Sequence, residues 1–390
     1  MVKQGYKQTE VGVIPEDWDC IAAKYLMKIE TGSRNTEHKT DTGKYPFFVR
    51  SQKVERIDTY HYDCEAVLTA GDGVGTGKVF HHYIGKFDAH QRVYVMSNFN
   101  GITGRYFYNY FSENFGSEVS KYTAKSSVDS VRRDMIAEMV IPLPTLTEQN
   151  HIAEALSDVD SMISSLEKLI AKKKAIKQGA MQELLTGKKR LPGFTGKWYD
   201  TTIGGHCYVF DGTHQTPKYT PSGIPFYSVE NVTANDFANT KFISVEEHEL
   251  LTTKHRIEKG DILMTRIGSI GDCKYVDWNV NASFYVSLAL IKCKDTINAQ
   301  FLSYYSNSTH FKKEIEIRSL LTAIPQKINL GPISEIRLNI PSDIKEQQAI
   351  ASILSDMDNE IEALEQKLDK TRQIKQGMMQ QLLTGKIRLV

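Results

Sequence analysis

The stretch GDGVGTGKV at residues 71–79 sets four glycines around an aspartate and a lysine, a composition suited to wrapping phosphate with backbone N–H groups. The nucleotide-binding spacing GxxxxGK[ST] is not met. Asp72 stands where the first glycine is needed, and Val79 where a Ser or Thr would hold Mg2+. GxGxxG is not met either, so the stretch reads as a turn between two strands whose amides could at most touch a DNA phosphate. Other chemistries lack their parts as well. There is no Asp/Asn-Pro-Pro-Tyr/Phe loop for methyl transfer to adenine, and no Pro-Asp...Asp/Glu-x-Lys metal site for strand cleavage. His81 and His82 have no third ligand at a metal-binding spacing. His214 and Gln215 in DGTHQTPKY read as loop polarity rather than acid-base machinery. No catalytic residue, metal ligand or cofactor site is therefore assigned to this chain.

The loops do carry residue types with which DNA could be read, each of them otherwise an ordinary solvated surface group: Arg or Lys for guanine, Asn or Gln for adenine, Ser or Thr for either, cations for phosphate. In the first half these are Ser33, Arg34 and Asn35; Arg50, Gln52 and Lys53; Gln91 and Arg92; and Lys121, Tyr122, Lys125 and Ser126. In the second they are Thr213, His214, Gln215, Lys218 and Tyr219; Arg266 and Ser269; and Gln326, Lys327 and Asn329. The lysine run AKKKAIK (Lys172, Lys173, Lys174, Lys177) has an echo in DKTRQIK (Arg372, Lys375). It offers contacts to phosphate or a partner, with a solvated helix face as the plain alternative. Net charge is only +1, so any phosphate contact is local or shared with partners.

A chain of 390 residues exceeds what one core usually organises. Its 41% hydrophobic and 10% aromatic content is that of a folded protein. The five separated cysteines (Cys20, Cys64, Cys207, Cys273, Cys293), without a CxxC pair, suggest neither a disulfide framework nor a zinc site. The opening MVKQGYKQTE lacks the apolar stretch of a secretion signal, and no apolar run is long enough to span a bilayer. The expected compartment is the cytosol.

The elements that must position the loops are announced by a repeat. IKQGAMQELLTGKKRL at 176–191 returns as IKQGMMQQLLTGKIRL at 374–389, and residues 148–191 agree with 346–389 at roughly 25 of 44 positions. Ile152, Leu156, Val159, Ile163, Leu166 and Ile170 follow a 4,3,4,3,4 spacing, as do Ile350, Leu354, Met357, Ile361, Leu364 and Leu368. That is a narrow helical seam, which buries itself best against its twin. Lys173, Lys177 and Lys375 interrupt it before it resumes through Ile176, Ala180, Leu184 and Ile374, Met378, Leu382. Thr145 with Glu148 and Asp343 with Glu346, each behind a proline (Pro144, Pro341), are capping-box signatures. In both LLTGK stops Gly187 and Gly385 take the left-handed C′ position, followed by Lys188 and Lys386. About 40 residues lie between start and stop, roughly 60 Å of helix.

The regions ahead of each helix carry short β-type runs: YPFFVRS, AVLTA, KVFHHY and RVYVM in one, IPFYSV, DILMTRI and FYVSLALIKC in the other. Helical segments near 104–115 and 299–318 follow, and Trp18 and Trp198 stand near the head of each region. The expected fold is α+β. Two mixed α/β domains, 1–141 and 192–340, are joined by helices within 142–191 and 341–390 that pair as an antiparallel coiled coil with pseudo-twofold symmetry. Strand order does not follow from the sequence.

The phrases LTEQNHIAEALSDVD, IKEQQAIASILSDMD and the doubled IKQG and LLTGK resemble the specificity subunits of Type I restriction-modification enzymes. So do YKQTEVGVIPEDW, THQTPKYTPSGIPF and KGDILMTRIGSIGD, and the resemblance covers the whole chain. It implies that the divergent heads are target-recognition domains for a bipartite, asymmetric double-stranded DNA site. It implies that the constant helices are spacers docking two methyltransferase subunits, with restriction/translocase subunits as further partners. S-adenosylmethionine, ATP and Mg2+ would then belong to those partners. On the residues alone, two other readings stay open: a coiled-coil adaptor with protein-binding heads, and the recognition subunit of a related methyltransferase-nuclease system.

Overall fold

The 4,3 spacing is realised as two helices of 39 residues each, Leu146–Leu184 and Ile344–Leu382, in a computed structural model that describes residues 2–123 and 130–390, without the side chains of 121–123. Contacts divide the chain into two units, Met1–Lys168 with Gln366–Val390, and Leu169–Glu365. Each long helix therefore begins in one unit and ends in the other.

Within the first unit the start of the first long helix runs antiparallel to the end of the second. Asp160 meets Lys375 at 2.6 Å and Glu167 meets Arg372 at 2.7 Å, so numbers rise along one helix as they fall along the other. Ile152 and Leu156 share a buried cluster with Met379, Leu382 and Leu383. The second unit repeats the scheme. Lys173 meets Glu360 at 2.5 Å, Lys174 meets Glu365 at 2.6 Å and Lys177 meets Asp358, while Met181, Leu184 and Leu185 pack with Ile350, Ala351 and Leu354. All twelve seam residues lie inward: Ile152, Leu156, Leu166, Ile170, Ile350, Leu354, Ile361 and Leu368 are buried, and Val159, Ile163, Met357 and Leu364 are half-buried.

Three expectations for the helices need correction. The lysines that seemed to interrupt the seam are rungs of it: Lys173, Lys177 and Lys375, and Lys174 beside them, pair with acids of the facing helix. The buried stripe passes through Met181 and Met379, whereas Ile176 and Ile374 are 47% and 49% exposed. The capping boxes are only half formed. The Glu148 amide does donate to the Thr145 hydroxyl at 3.3 Å, and in the second copy the Lys345 amide donates to Asp343 Oδ1 at 2.9 Å, but the carboxylates of Glu148 and Glu346, buried to within 1% of completely, serve arginines that follow the end of the other long helix. Glu148 accepts Arg388 Nε at 2.6 Å, Arg388 Nη2 at 2.8 Å and Trp18 Nε1 at 3.1 Å. Glu346 accepts Arg190 Nε at 2.6 Å and Nη2 at 2.7 Å. Charge-assisted fork geometry of this kind is strong and directional.

The next residue ties each helix to its own head. Gln149 Oε1 accepts the Thr103 amide and Gln347 Oε1 the Asn298 amide, both at 2.8 Å, while each side-chain NH2 donates to the carbonyl of Pro144 or Pro341. The helix stops form as expected, with Gly187 at φ +68° and Gly385 at φ +66°. Trp198 and Trp18 press on these glycines from the head of each unit.

In the first head a six-stranded sheet has the spatial order Lys28–Thr31, Val93–Ser97, Tyr62–Ala70, Phe80–Ala89, Tyr45–Phe48, Glu55–Ile57, with only the pairing of Tyr45–Phe48 to Phe80–Ala89 parallel. Phe107, Phe111 and Phe115 recur every four residues on the helix Gly104–Thr123, stack on one another at 5.1 and 4.3 Å, and are fully buried. In the second head Cys207–Asp211, Leu288–Cys293, Ile262–Thr265 and Cys273–Tyr275 form one sheet. Tyr219–Thr220, Lys241–Ile243, Ile224–Tyr227 and Ser283–Phe284 form another. The run FYVSLALIKC is split, because the Leu288 amide turns back to the Tyr285 carbonyl.

The two heads share one backbone plan that their side chains conceal. Gly71 N donates to Arg92 O as Arg266 N does to Ser287 O, and Val131 N donates to Gly71 O as Ile328 N does to Arg266 O. Asp72 bridges Ser130 as Ile267 bridges Lys327. Phe48 pairs in parallel with Ala89 as Tyr227 does with Phe284.

Candidate nucleic-acid interface

In the first head, strand ends gather loops that lie far apart in sequence. Arg34 bridges His90, the Gln91 amide donates to the Arg34 carbonyl at 2.8 Å, and the His90 amide donates to Phe48 at 2.9 Å. Ser33, Arg34 and Asn35 thus lie near Gln91 and Arg92 and near the loop of Arg50, Gln52 and Lys53. The glycine-rich turn joins them: Arg50 Nη1 donates to Asp72 Oδ1 at 2.8 Å, and Arg92 Nη1 donates to Asp72 Oδ2. Partial burial pushes the Asp72 carboxyl up, but the two guanidinium groups outweigh it and hold it below its ordinary value. Arg34 Nε donates to Asp88 Oδ2 at 3.1 Å, and the wholly buried Asp88 also accepts the Ala89 amide. His90 beside them is held below its ordinary value by burial first and by Arg50 next.

The turn at 71–79 does connect two strands, Tyr62–Ala70 and Phe80–Ala89. Three of its amides are used inside the turn: Thr76 N donates to Gly73 O, and Lys78 N and Val79 N donate to Gly75 O, each at 3.0 Å. His81 and His82 are neighbours on a strand, where successive side chains take opposite faces. His81 lies 3.2 Å from the Ser51 carbonyl and His82 2.8 Å from Glu65. Lys125 and Ser126 fall outside the described residues, and only the helical backbone of Lys121 and Tyr122 is described.

The second head gathers its loops at the same place. Thr213 bridges Tyr285, and the Gly268 amide donates to Gln326 at 2.8 Å. This brings Thr213, His214 and Gln215 near Arg266 and Ser269 and near Gln326 and Lys327, while Asn329 sits at the start of the helix Leu330–Ser334. Arg266 departs from its expected role as a surface reader. It is 6% exposed, its Nε donates to Ile328 O at 3.2 Å, and burial holds its pKa below the ordinary value. Its Nη1 lies 3.7 Å from Asp211 Oδ2, an oxygen that also lies 2.6 Å from His214 Nε2. Ser269 donates to Asp272. Tyr219 lies on the other sheet, with Lys218 just ahead of its strand, and Lys241 covers the Tyr219 ring at 4.8 Å.

The residues that sequence reasoning passed over are the acids, Asp72, Asp88 and Asp211, together with His90. Asp72 was noticed only as the residue that spoils a nucleotide loop; an aspartate among loops rich in arginine was the available signal. Among the described residues no three His, Cys, Asp or Glu side chains group so as to hold a metal ion, and no helix is long and apolar enough to cross a membrane. The arrangement offers fixed cations and amide-bearing side chains on two loop clusters, which is equipment for recognition.

Comparison with known proteins agrees with this arrangement. Residues 15–178 and 201–373 match the family described as Type I restriction modification DNA specificity domain. The Type I restriction enzyme MjaVIII specificity subunit of Methanocaldococcus jannaschii is 24% identical across 99% of this chain and 97% of its own length. The EcoDI specificity subunit of Escherichia coli is 30% identical across 43% of this chain and 36% of its own. The crystal structure of the S subunit from M. genitalium has a similar fold, with a TM-score of 0.66 at 18% identity, covering 94% of this chain and 96% of that one. Since the match takes in both heads and most of both helices, the chain belongs to that family: it is a specificity subunit of a Type I restriction-modification system, and its heads are target-recognition domains.

Proposed function

We propose that each head reads one part of a bipartite, asymmetric DNA target, that two methyltransferase subunits dock on the repeated helices, and that the chain itself performs no catalysis. The observation that carries the docking is a set of repeated residues that neither unit uses for its own packing. Lys172 and Lys370, Ile176 and Ile374, and Gly179 and Gly377 are the same in both copies, and all six are exposed. At 3.6 residues per turn each trio lies within about 60° around its helix, away from the seam. A glycine inside a helix costs about 1 kcal/mol relative to alanine, yet among the described residues a Cβ at Gly179 or Gly377 would meet nothing within 4 Å. Two copies of a costly residue facing solvent beside an exposed isoleucine fit two copies of one partner, approaching closely.

The same division of labour assigns S-adenosylmethionine to the methyltransferase subunits, and ATP with Mg2+ to restriction/translocase subunits. This chain's glycine turn lacks the nucleotide-loop spacing and spends the Thr76, Lys78 and Val79 amides internally, and its loop clusters offer cations. Shared neutralisation of phosphate suits a net charge of +1. Five free cysteines suit the cytosol.

The test is methylome sequencing of cells with and without this chain. A bipartite adenine-methylation motif that appears only with the chain supports the reading; no motif in either case overturns it in favour of a protein-binding adaptor. Exchanging residues 192–340 for a different head is expected to change one half of that motif and leave the other intact. A change in both halves would defeat the modular assignment.

A further inference from the structure

Asp72 grips two arginines in the first head, and the backbone plan shared by the heads shows that the fold does not require this. At the corresponding place in the second head stand Ile267 for Asp72 and Ser287 for Arg92, while Val229 takes the position of Arg50, two residues beyond the parallel pair. There the Val229 amide simply donates to the Ser287 hydroxyl at 3.2 Å. The hydrogen bonds of the scaffold are kept and the charged device is not. A group that one head has and its twin folds without is a candidate for what distinguishes their targets.

The geometry also suits a reader. Arg50 and Arg92 are 45% and 62% exposed, whereas Asp72 is 16% exposed, so the carboxylate is the anchor and the forks face solvent. One arginine takes each carboxylate oxygen, which holds two otherwise mobile side chains side by side. A free arginine carries about 2 kcal/mol of rotamer entropy, and bracing removes part of that cost before DNA arrives. A guanidinium fork matches guanine O6 and N7 in the major groove.

We infer that Arg50 and Arg92 determine specificity by reading guanine in the half-site bound by the first head, and that Asp72 is the positioning residue that braces them. This rests on the proposal that the heads read DNA. The turn that failed as a nucleotide loop is, in this reading, the mount for a pair of base readers.

The experiment is methylome sequencing of cells carrying full-length Asp72→Asn, Arg50→Lys or Arg92→Lys in place of the unaltered chain. Lysine keeps the charge a phosphate contact needs but not the bidentate fork, and both arginines are exposed enough that the substitutions leave folding intact. The expected result is a rise of at least about tenfold in methylation at sites lacking one particular guanine of one half-site, with the other half unchanged. Asp72→Asn should relax the same positions as the two lysine variants. An even loss of methylation across all sites, an unchanged motif, or an unaltered motif with no guanine in the half that follows the first head would each overturn the inference while leaving the general reading intact. Absence of any motif with the unaltered chain would overturn both.

Discussion

Arg190→Ala is expected to lower stability by about 3 kcal/mol, near the low end of what removing one partner of a buried ion pair costs. The lower end applies because Arg190 is 29% exposed, although Glu346 is 1% exposed. Its loss leaves that carboxylate buried without its fork. Arg388→Ala should cost about as much: Glu148 keeps the Trp18 indole at 3.1 Å, whereas Trp198 Nε1 has no hydrogen-bond partner among the described residues, but the variant also gives up the exposed fork of Arg388 onto Asp17 at 2.9 and 2.8 Å. Urea unfolding of the full chain measures both. The decisive control is the pair Arg190→Met with Glu346→Met, which removes both charges together. If that double variant is as unstable as Arg190→Ala alone, the loss comes from packing and not from a stranded carboxylate.

The glycines give a second pair of expectations with opposite signs. Gly385→Ala puts a Cβ 2.5 Å from Pro15 Cδ and Cγ and 3.1 Å from Trp18, on a residue at φ +66°. Left-handed strain of about 1–2 kcal/mol adds to that overlap, for a loss of roughly 2–4 kcal/mol. Gly377→Ala, in open space within the helix, should raise the stability of the chain by up to about 1 kcal/mol. If the glycine exists for a closely approaching partner, the same change should weaken capture of the methyltransferase subunits, on the order of tenfold. Thermal unfolding and a titrated pull-down read the two effects separately. Higher stability with unchanged capture would remove the glycines from the docking surface.

The long helices were legible because apolar spacing, a proline before each start and a glycine at each stop are local signals. Their charged rungs were not. A sequence cannot show that Lys177 faces Asp358 or that Lys375 faces Asp160, so lysines on the seam looked like breaks in it. For the same reason Ile176 and Ile374 were drawn inward by apolarity alone. The glutamates at the helix starts were read as local caps because the arginines that claim them lie 156 and 240 residues away. In the heads, strand order depends on non-local pairings such as Phe48 with Ala89, and the common plan is carried by backbone hydrogen bonds that leave no trace in side-chain identity. The reading loops could be nominated by residue type, but not the acids that orient them. Nor did type alone reveal that Arg266 is buried.

The first unit cannot be finished until its last residues exist. Tyr6 donates to the Gly385 carbonyl at 3.0 Å, His151 Nδ1 lies 2.8 Å from the Leu389 carbonyl, and Arg388 joins Asp17 to Glu148. The second unit, by contrast, is a continuous stretch from 169 to 365. On the ribosome, the reader made second is therefore the one able to mature first, while the reader made first waits for the guanidinium of Arg388 that joins its Asp17 to Glu148. A nascent chain cut short before residue 385 would hold every residue of the second reader's unit and lack the Gly385, Arg388 and Leu389 contacts that close the first.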